Sequence, residues 1–291
     1  MTQTPSILVV GDIHKEWRTA DSEYLEQGTQ DLTLFVGDLG DEDVDMVRMV
    51  ANIDVRKAVI LGNHDAWRSF SEKRITPNLQ ESLQILGEDH LAYDLTEWYE
   101  AGISIVGARP FSWGGPSLRS PEVYSRLYDV RNHRESAERI VEVARQAEHR
   151  DIIILAHNGP TGLSMETHDI WGKDFGKSPR GDWGDDDLEL AIDQIKSIGL
   201  RVRLVIAGHM HHRLITPRGA FRTRFLRHRG TVYVNAAVVP RHRSLSNGSV
   251  VSHFLRVLCE DGKLDSFQEI WVDAQGKVRD EHSPKIMEEV S

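Results

Sequence analysis

The chain has 291 residues, 40% hydrophobic and 27% charged, a globular balance for one large domain or two small ones. No apolar run approaches the ~18 residues a membrane helix needs, no basic segment precedes the first apolar run, and a single cysteine, Cys259, excludes an internal disulfide, so a cytoplasmic protein without membrane contact is expected. The formal net charge of −10 is unevenly placed, because Gln194–Cys259 holds twelve Lys and Arg and no Asp or Glu, an asymmetry that concerns partners rather than fold.

Short β-rich apolar runs recur along the chain, each ending in glycine or a polar residue. Ile7–Val10 leads into Gly11-Asp12, Leu32–Val36 into Gly37-Asp38, and Ala58–Leu61 into Gly62-Asn63. Ile103–Val106 leads into Gly107-Ala108, Ile152–Ala156 into His157-Asn158, Val202–Ala207 into Gly208-His209, and Thr231–Val234 into Asn235. Between them, Ser136–Ala147 and Asp187–Ile198 repeat apolar residues at three- and four-residue spacing and read as helices. Strands alternating with helices predict an α/β fold with much parallel pairing. Further on, Ser249–Cys259 and Leu264–Val272 predict antiparallel strands turning around Asp261-Gly262. The charged residues from Asp273 onward read as a frayed tail, so one domain is expected over 1–275 with a charged tail over 276–291. Two long loops, Pro110–Pro121 and Thr161–Asp187, follow strand ends that carry candidate site residues and read as active-site walls.

Metal-ligating residue types stand at the C-terminal ends of nearly every predicted strand, where open α/β sheets place ligands. In order they are Asp12-Ile13-His14, Asp38 with Asp41, Asn63-His64-Asp65, His157, and His209-Met210-His211. Each block alone is common; five in order, each just after an apolar run, are not expected by chance. Asp, Asn and His are hard and borderline ligands, and one carboxylate can bridge two ions. Two cations about 3.5–4 Å apart can clamp the attacking and leaving oxygens of an in-line phosphoryl displacement and acidify a water.

The order DxH, GDxxD, GNHD, H, GHxH resembles the calcineurin-like metallophosphoesterases across residues 12 to 211. The resemblance implies a two-sheet β-sandwich flanked by helices, a four-layer α/β/β/α fold. It implies that Asp12, His14 and His211 hold one metal, that Asn63, His157 and His209 hold the other, and that Asp38 bridges them. It also implies that His64 assists the leaving oxygen and that Asp41 orients His64 by accepting its hydrogen bond. The runs His157–Gly162, Gly181–Leu188 and Gly208–Leu214 resemble a cyanobacterial and chloroplast branch of that superfamily. One departure is Asn235-Ala236-Ala237-Val238-Val239-Pro240, where many relatives have an Asn-Pro/Ala-Gly-Ser turn.

The remaining candidates have plainer readings. His212 reads as outward-facing, Asp65 as a cap of the following turn, and Asp185-Asp186-Asp187 as negative charge at a helix start. The cationic stretch reads either as a solvated hairpin, Thr216–Gly230, balancing the acidic remainder, or as a border of the site that draws in an anionic substrate. Arg109 and Arg241, each just after a predicted strand, are candidates for bidentate phosphate contact. The expected protein is thus a phosphoesterase acting on a small anionic phosphomonoester or phosphodiester, with a metal-bridging hydroxide attacking in line. It is expected to use two divalent ions, manganese first, with iron and zinc as alternatives. Two rivals are a nuclease of the same superfamily, which the net charge argues against, and a non-catalytic metal-binding scaffold.

Overall fold

Strands read as continuous apolar runs need cover on both faces, and the computed structural model, which describes residues 4–260 and 262–288, supplies it. In β1 (Ser6–Val10), Ile7 and Val9 point into a core shared by two sheets, while Leu8 and Val10 join the core beneath the helices. The first sheet runs β13 (Val278–His282), β12 (Lys263–Asp273), β11 (Val250–Glu260), β1, β2 (Leu32–Phe35) and β3 (Lys57–Val59), with β10 (His242–Ser244) also on β11. The second runs β14 (Met287–Glu288), β8 (Phe225–His228), β9 (Thr231–Asn235), β7 (Arg201–Ala207), β6 (Asp151–Leu155), β5 (Ile103–Gly107) and β4 (Leu95–Trp98). Parallel pairing joins β1, β2 and β3 in one sheet and β5, β6, β7 and β9 in the other. Ile105, Ile153 and Ile206 of the second sheet meet Ile7, Val9 and Leu34 of the first, so the sheets face each other across one apolar layer.

Helices cover the outer faces: α1 (Thr19–Glu26), α2 (Val44–Ala51), α3 (Trp67–Glu72), α4 (Pro77–Leu86), α5 (Pro121–Tyr128), α6 (His133–Ala144) and α7 (Asp186–Ser197). The protein is the expected two-sheet sandwich flanked by helices. Side chains set several helix starts. Asp43 caps α2 by accepting from the Asp45 and Met46 amides, and Thr76 caps α4 ahead of Pro77. Asn132 accepts from the Glu135 amide, which starts α6 three residues before the apolar period does.

Two expectations need correction. Residues 274–288 are not a frayed tail: β13 pairs antiparallel with β12 and β14 pairs parallel with β8. Asp273 Oδ1 accepts from the Gln275 and Lys277 amides at 3.0 Å each, closing the turn that returns the chain to the sheet. Charge there marks a solvated edge strand rather than missing structure. Nor is Thr216–Gly230 a hairpin by itself. The hairpin is β8 with β9, turning at Arg229-Gly230, and 216–224 run as loop apart from an isolated Arg213–Phe221 bridge. The predicted β11–β12 hairpin forms, although Asp261 of its turn lies outside the described residues.

Candidate metal centre

The strand ends β1, β2, β3, β6 and β7 deliver their polar residues to one place. Asp38 lies between two groups of histidine nitrogens. Its Oδ2 is 3.6 Å from His14 Nε2, and its Oδ1 is 3.4 Å from His157 Nε2. On one side His14 Nε2 and His211 Nε2 approach to 3.0 Å, with Asp12 Oδ2 3.7 Å from His211 Nε2. On the other, Asn63 Oδ1 is 3.0 Å from His157 Nε2 and 2.9 Å from His209 Nδ1. His14, Asp38 and His209 hold left-handed backbone with φ of 47°, 51° and 66°. For residues with a Cβ that conformation costs about 1–3 kcal/mol and collects at functional sites.

The donor chemistry fits cations. His157 Nδ1 lies 2.7 Å from the Val36 carbonyl oxygen, which can only accept, so Nδ1 carries the proton. In the neutral ring Nε2 is then a bare lone pair, and it faces oxygens of Asn63 and Asp38. Lone pairs converging on one point repel unless a cation sits among them. Asp12 and Asp38 are buried, and no Lys or Arg among the described residues forms an ion pair with either. Burial, and then the neighbouring Asp38, push the Asp12 carboxyl well above the carboxylate range. Burial also lowers His209 to about 3 and His211 to about 4, so these imidazoles are neutral near pH 7. Buried carboxylates among neutral imidazoles lack positive charge, which divalent ions would supply.

Two glycines make room for this crowding. A Cβ on Gly62 would stand 2.3 Å from Asp38 Oδ1 and 2.4 Å from His157 Cε1. A Cβ on Gly208 would stand 2.2 Å from Asp12 Oδ1. Neither space is compatible with a side chain, which explains the glycine that precedes each candidate ligand, Asn63 and His209, there.

The sequence matches the family model for calcineurin-like phosphoesterases over residues 5–213. The chain belongs to the calcineurin-like phosphoesterase family. Among solved structures, one matches at 10% identity with a TM-score of 0.55, covering 97% of this chain and 99% of its own. PhoD matches at 9% identity and a TM-score of 0.50, covering 99% of this chain and 74% of PhoD. A novel archaeal phosphodiesterase matches at 14% identity and a TM-score of 0.41, covering 92% and 99%. At these identities the first two likenesses are of fold alone. No curated protein matches the sequence significantly. Membership in the calcineurin-like family implies metal-dependent hydrolysis of phosphoesters, and no helix of the described residues is long and apolar enough to cross a membrane.

Around this calcineurin-like centre, His64 Nδ1 lies 2.7 Å from Asp41 Oδ1, and the His64 amide donates to Asp38 Oδ1 at 2.9 Å. The hydrogen bond from His64 holds the Asp41 carboxyl below its ordinary range. Asp65 is a brace between two loops rather than a cap. Its Oδ1 accepts from the Gly40 amide at 3.0 Å and its Oδ2 from the Gly62 amide at 2.8 Å, tying the Asp38 loop to the Asn63 loop. Asn235 donates to the Met210 carbonyl at 2.7 Å and to Ile170 at 3.1 Å, so it fastens the His209–His211 loop despite the departure that follows it. His212 is half-buried, not outward-facing, and its Nδ1 accepts from the Val239 amide at 3.1 Å.

Arg109 and Arg241 are corrected as phosphate contacts. Arg109 is 4% exposed, with Nε 2.7 Å from Asp187 Oδ2 and Nη2 2.9 Å from Asp185 Oδ1. Arg241 is 2% exposed and donates from Nη1 to Asp21 Oδ2 at 2.6 Å. Position just after a strand could not reveal that partners from distant segments occupy both forks. Most of the cationic stretch shares this fate. Arg201 and Arg203 pair with Asp151, Arg222 with Asp174, Arg224 with Glu269, and Arg243 with Asp280. The stretch therefore balances acidic residues from elsewhere, and of its cations among the described residues only Arg213 lines the cleft over the metal centre. Arg222 does structural work at that border. Its Nε donates to the His211 carbonyl at 3.1 Å and its Nη1 to carbonyls of Thr167, Asp169 and Gly172, anchoring the 161–187 loop beside the centre.

The cleft encloses about 470 Å³, with Asp38, Asn63, His64, His209 and His211 at its floor. The two long loops form much of its walls, through Trp113 and Arg119 from one and Phe175 and Trp183 from the other. Arg119, Arg213 and Trp67 were missed as site residues in the sequence. The signal available was that Arg119 lies in a long loop while Trp67 and Arg213 each stand two residues past a strand-end block, with no periodicity to single them out.

Proposed function

We propose that this protein hydrolyses a phosphomonoester or phosphodiester with two divalent cations held at the strand ends. The observation that carries the proposal is Asp38, whose two carboxylate oxygens each approach a different histidine group, as a bridging ligand requires. Asp12, His14 and His211 would hold one ion, and Asn63, His157 and His209 the other. When bound, the ions supply positive charge that clamps phosphoryl oxygens and lowers the pKa of a water at the site. Left-handed backbone at Asp38 and His209, and glycine packing against Asp38, His157 and Asp12, fix these groups without an ion, which supports a preorganised centre. His64 faces the cleft and would hydrogen-bond the departing oxygen through Nε2, with Asp41 keeping its Nδ1 proton in place. Imidazole, carboxylate and amide donors suit manganese, with iron and zinc as alternatives.

The test is hydrolysis of p-nitrophenyl phosphate and of its bis ester by metal-stripped protein, with manganese added back, beside His64→Ala. Metal-dependent turnover that the variant loses is the expected result, and the preferred ester separates monoesterase from diesterase. Two bound ions with no turnover of either ester would leave the scaffold reading in its place. The pairing of the cationic stretch with carboxylates counts against a nucleic-acid track.

A further inference from the structure

The walls of the cleft are more specific than a phosphate alone requires. A run of mutually tilted flat groups leads outward from the floor. The His64 ring lies 5.0 Å from Trp67, Trp67 lies 4.8 Å from Trp113, and the Arg119 guanidinium lies 4.3 Å over Trp113. The opposite wall, Trp183, meets it where Trp183 Nε1 donates to the Trp113 carbonyl at 2.9 Å. Trp67 remains 45% exposed although its neighbours could have buried it. Trp113 Nε1 is buried without a hydrogen-bond acceptor among the described residues, and the exposed Arg119 forms no ion pair among them. A second hollow of about 350 Å³ adjoins on the far side of Trp67, Trp113 and Arg119, so the aromatic ledge extends the cleft beyond the metal centre. Indole faces open to the cleft and an arginine awaiting an anion are the groups that bind a flat heteroaromatic ring attached to phosphate.

Building on the phosphoesterase reading above, we propose that the cleft selects nucleoside phosphates, with the base stacked on the Trp67–Trp113 ledge and the phosphate toward Asp38 and His64. Base–aromatic stacking contributes about 1–3 kcal/mol, or roughly 5–150-fold in affinity. The assay is inhibition of manganese-dependent p-nitrophenyl ester hydrolysis by adenosine 5′-monophosphate and by glycerol 1-phosphate, which share a primary alkyl phosphate and differ in the sugar and base, with the Trp113 variants reading the base's share. The nucleotide is expected to inhibit at least tenfold more tightly. Trp113→Ala should collapse that ratio toward one, Trp113→Phe should keep most of it, and Arg119→Ala, at an exposed side chain, should weaken the nucleotide several-fold. Equal inhibition by the two probes, a ratio unchanged in Trp113→Ala, or an unchanged nucleotide constant in Arg119→Ala would each overturn the proposal. If neither ester turns over, the phosphoesterase reading fails separately, and tryptophan quenching of metal-free protein tests the ledge alone. There, quenching by the nucleotide but not by glycerol phosphate supports the ledge, and no difference overturns it.

Discussion

Gly62→Ala is a single methyl added where two ligand residues already meet. The new Cβ would lie 2.3 Å from Asp38 Oδ1 and 2.4 Å from His157 Cε1. Non-bonded heavy atoms settle near about 3.5 Å, so each neighbour must retreat by about 1 Å. Coordination distances tolerate only about 0.2 Å, so the site cannot absorb that shift and keep its geometry. Misplaced ligands cost roughly 10–100-fold in metal affinity, about 1.4–2.7 kcal/mol. The methyl also overpacks the metal-free protein by about 1–3 kcal/mol. Manganese titration by calorimetry reads the first effect, and denaturant unfolding of stripped protein reads the second. The Asn63, His157 and His209 side should weaken most, because His157 and the shared Asp38 are the residues struck. Gly208→Ala should instead weaken the Asp12, His14 and His211 side, since its Cβ would lie 2.2 Å from Asp12 Oδ1. Manganese affinity in Gly62→Ala within about twofold of the parent would refute the argument that these residues are metal ligands held by packing.

Three further outcomes follow from the same geometry. Asp41→Asn should lower kcat by about 10–100-fold with manganese binding retained, because it disturbs the orientation of His64 and no proposed ligand; a loss of metal binding instead would contradict that role. Arg222→Met leaves Asp174 buried without its cation, so unfolding in urea should show a loss of about 3–5 kcal/mol, and limited proteolysis should cut within 161–187; an uncut loop would remove Arg222 as its anchor. Asp21 is held below the carboxylate range because His242 and Arg241 outweigh its burial. A depressed carboxylate contributes stability that is present above its unfolded value of about 3.9 and is lost as pH falls through the folded one. The stability gap between the parent and Asp21→Asn should therefore narrow as pH drops below about 4, and a gap constant with pH would count against the ion pair.

The metal-ligating types were legible because each stands directly after a strand, and a strand end is a local event marked by an apolar run and a glycine. The same locality made β1, β2, β6, β7 and β9 readable within a residue or so. Edge strands were harder. β13 is Val278–His282, mostly charged and exposed, so its sequence carries no apolar period, and only pairing with β12 identifies it.

What the sequence determined by itself, then, was the order and type of the residues at the strand ends, and through them the family and the class of reaction. What only the tertiary structure decided was which charges are free to act. Arg109 and Arg119 cannot be told apart by type, yet one is locked between Asp185 and Asp187 and the other stands over Trp113 at the mouth of the cleft. An ion pair depends on partners about eighty residues away, whereas a strand end depends on its neighbours, and only the folded chain brings the distant partners within a few ångströms.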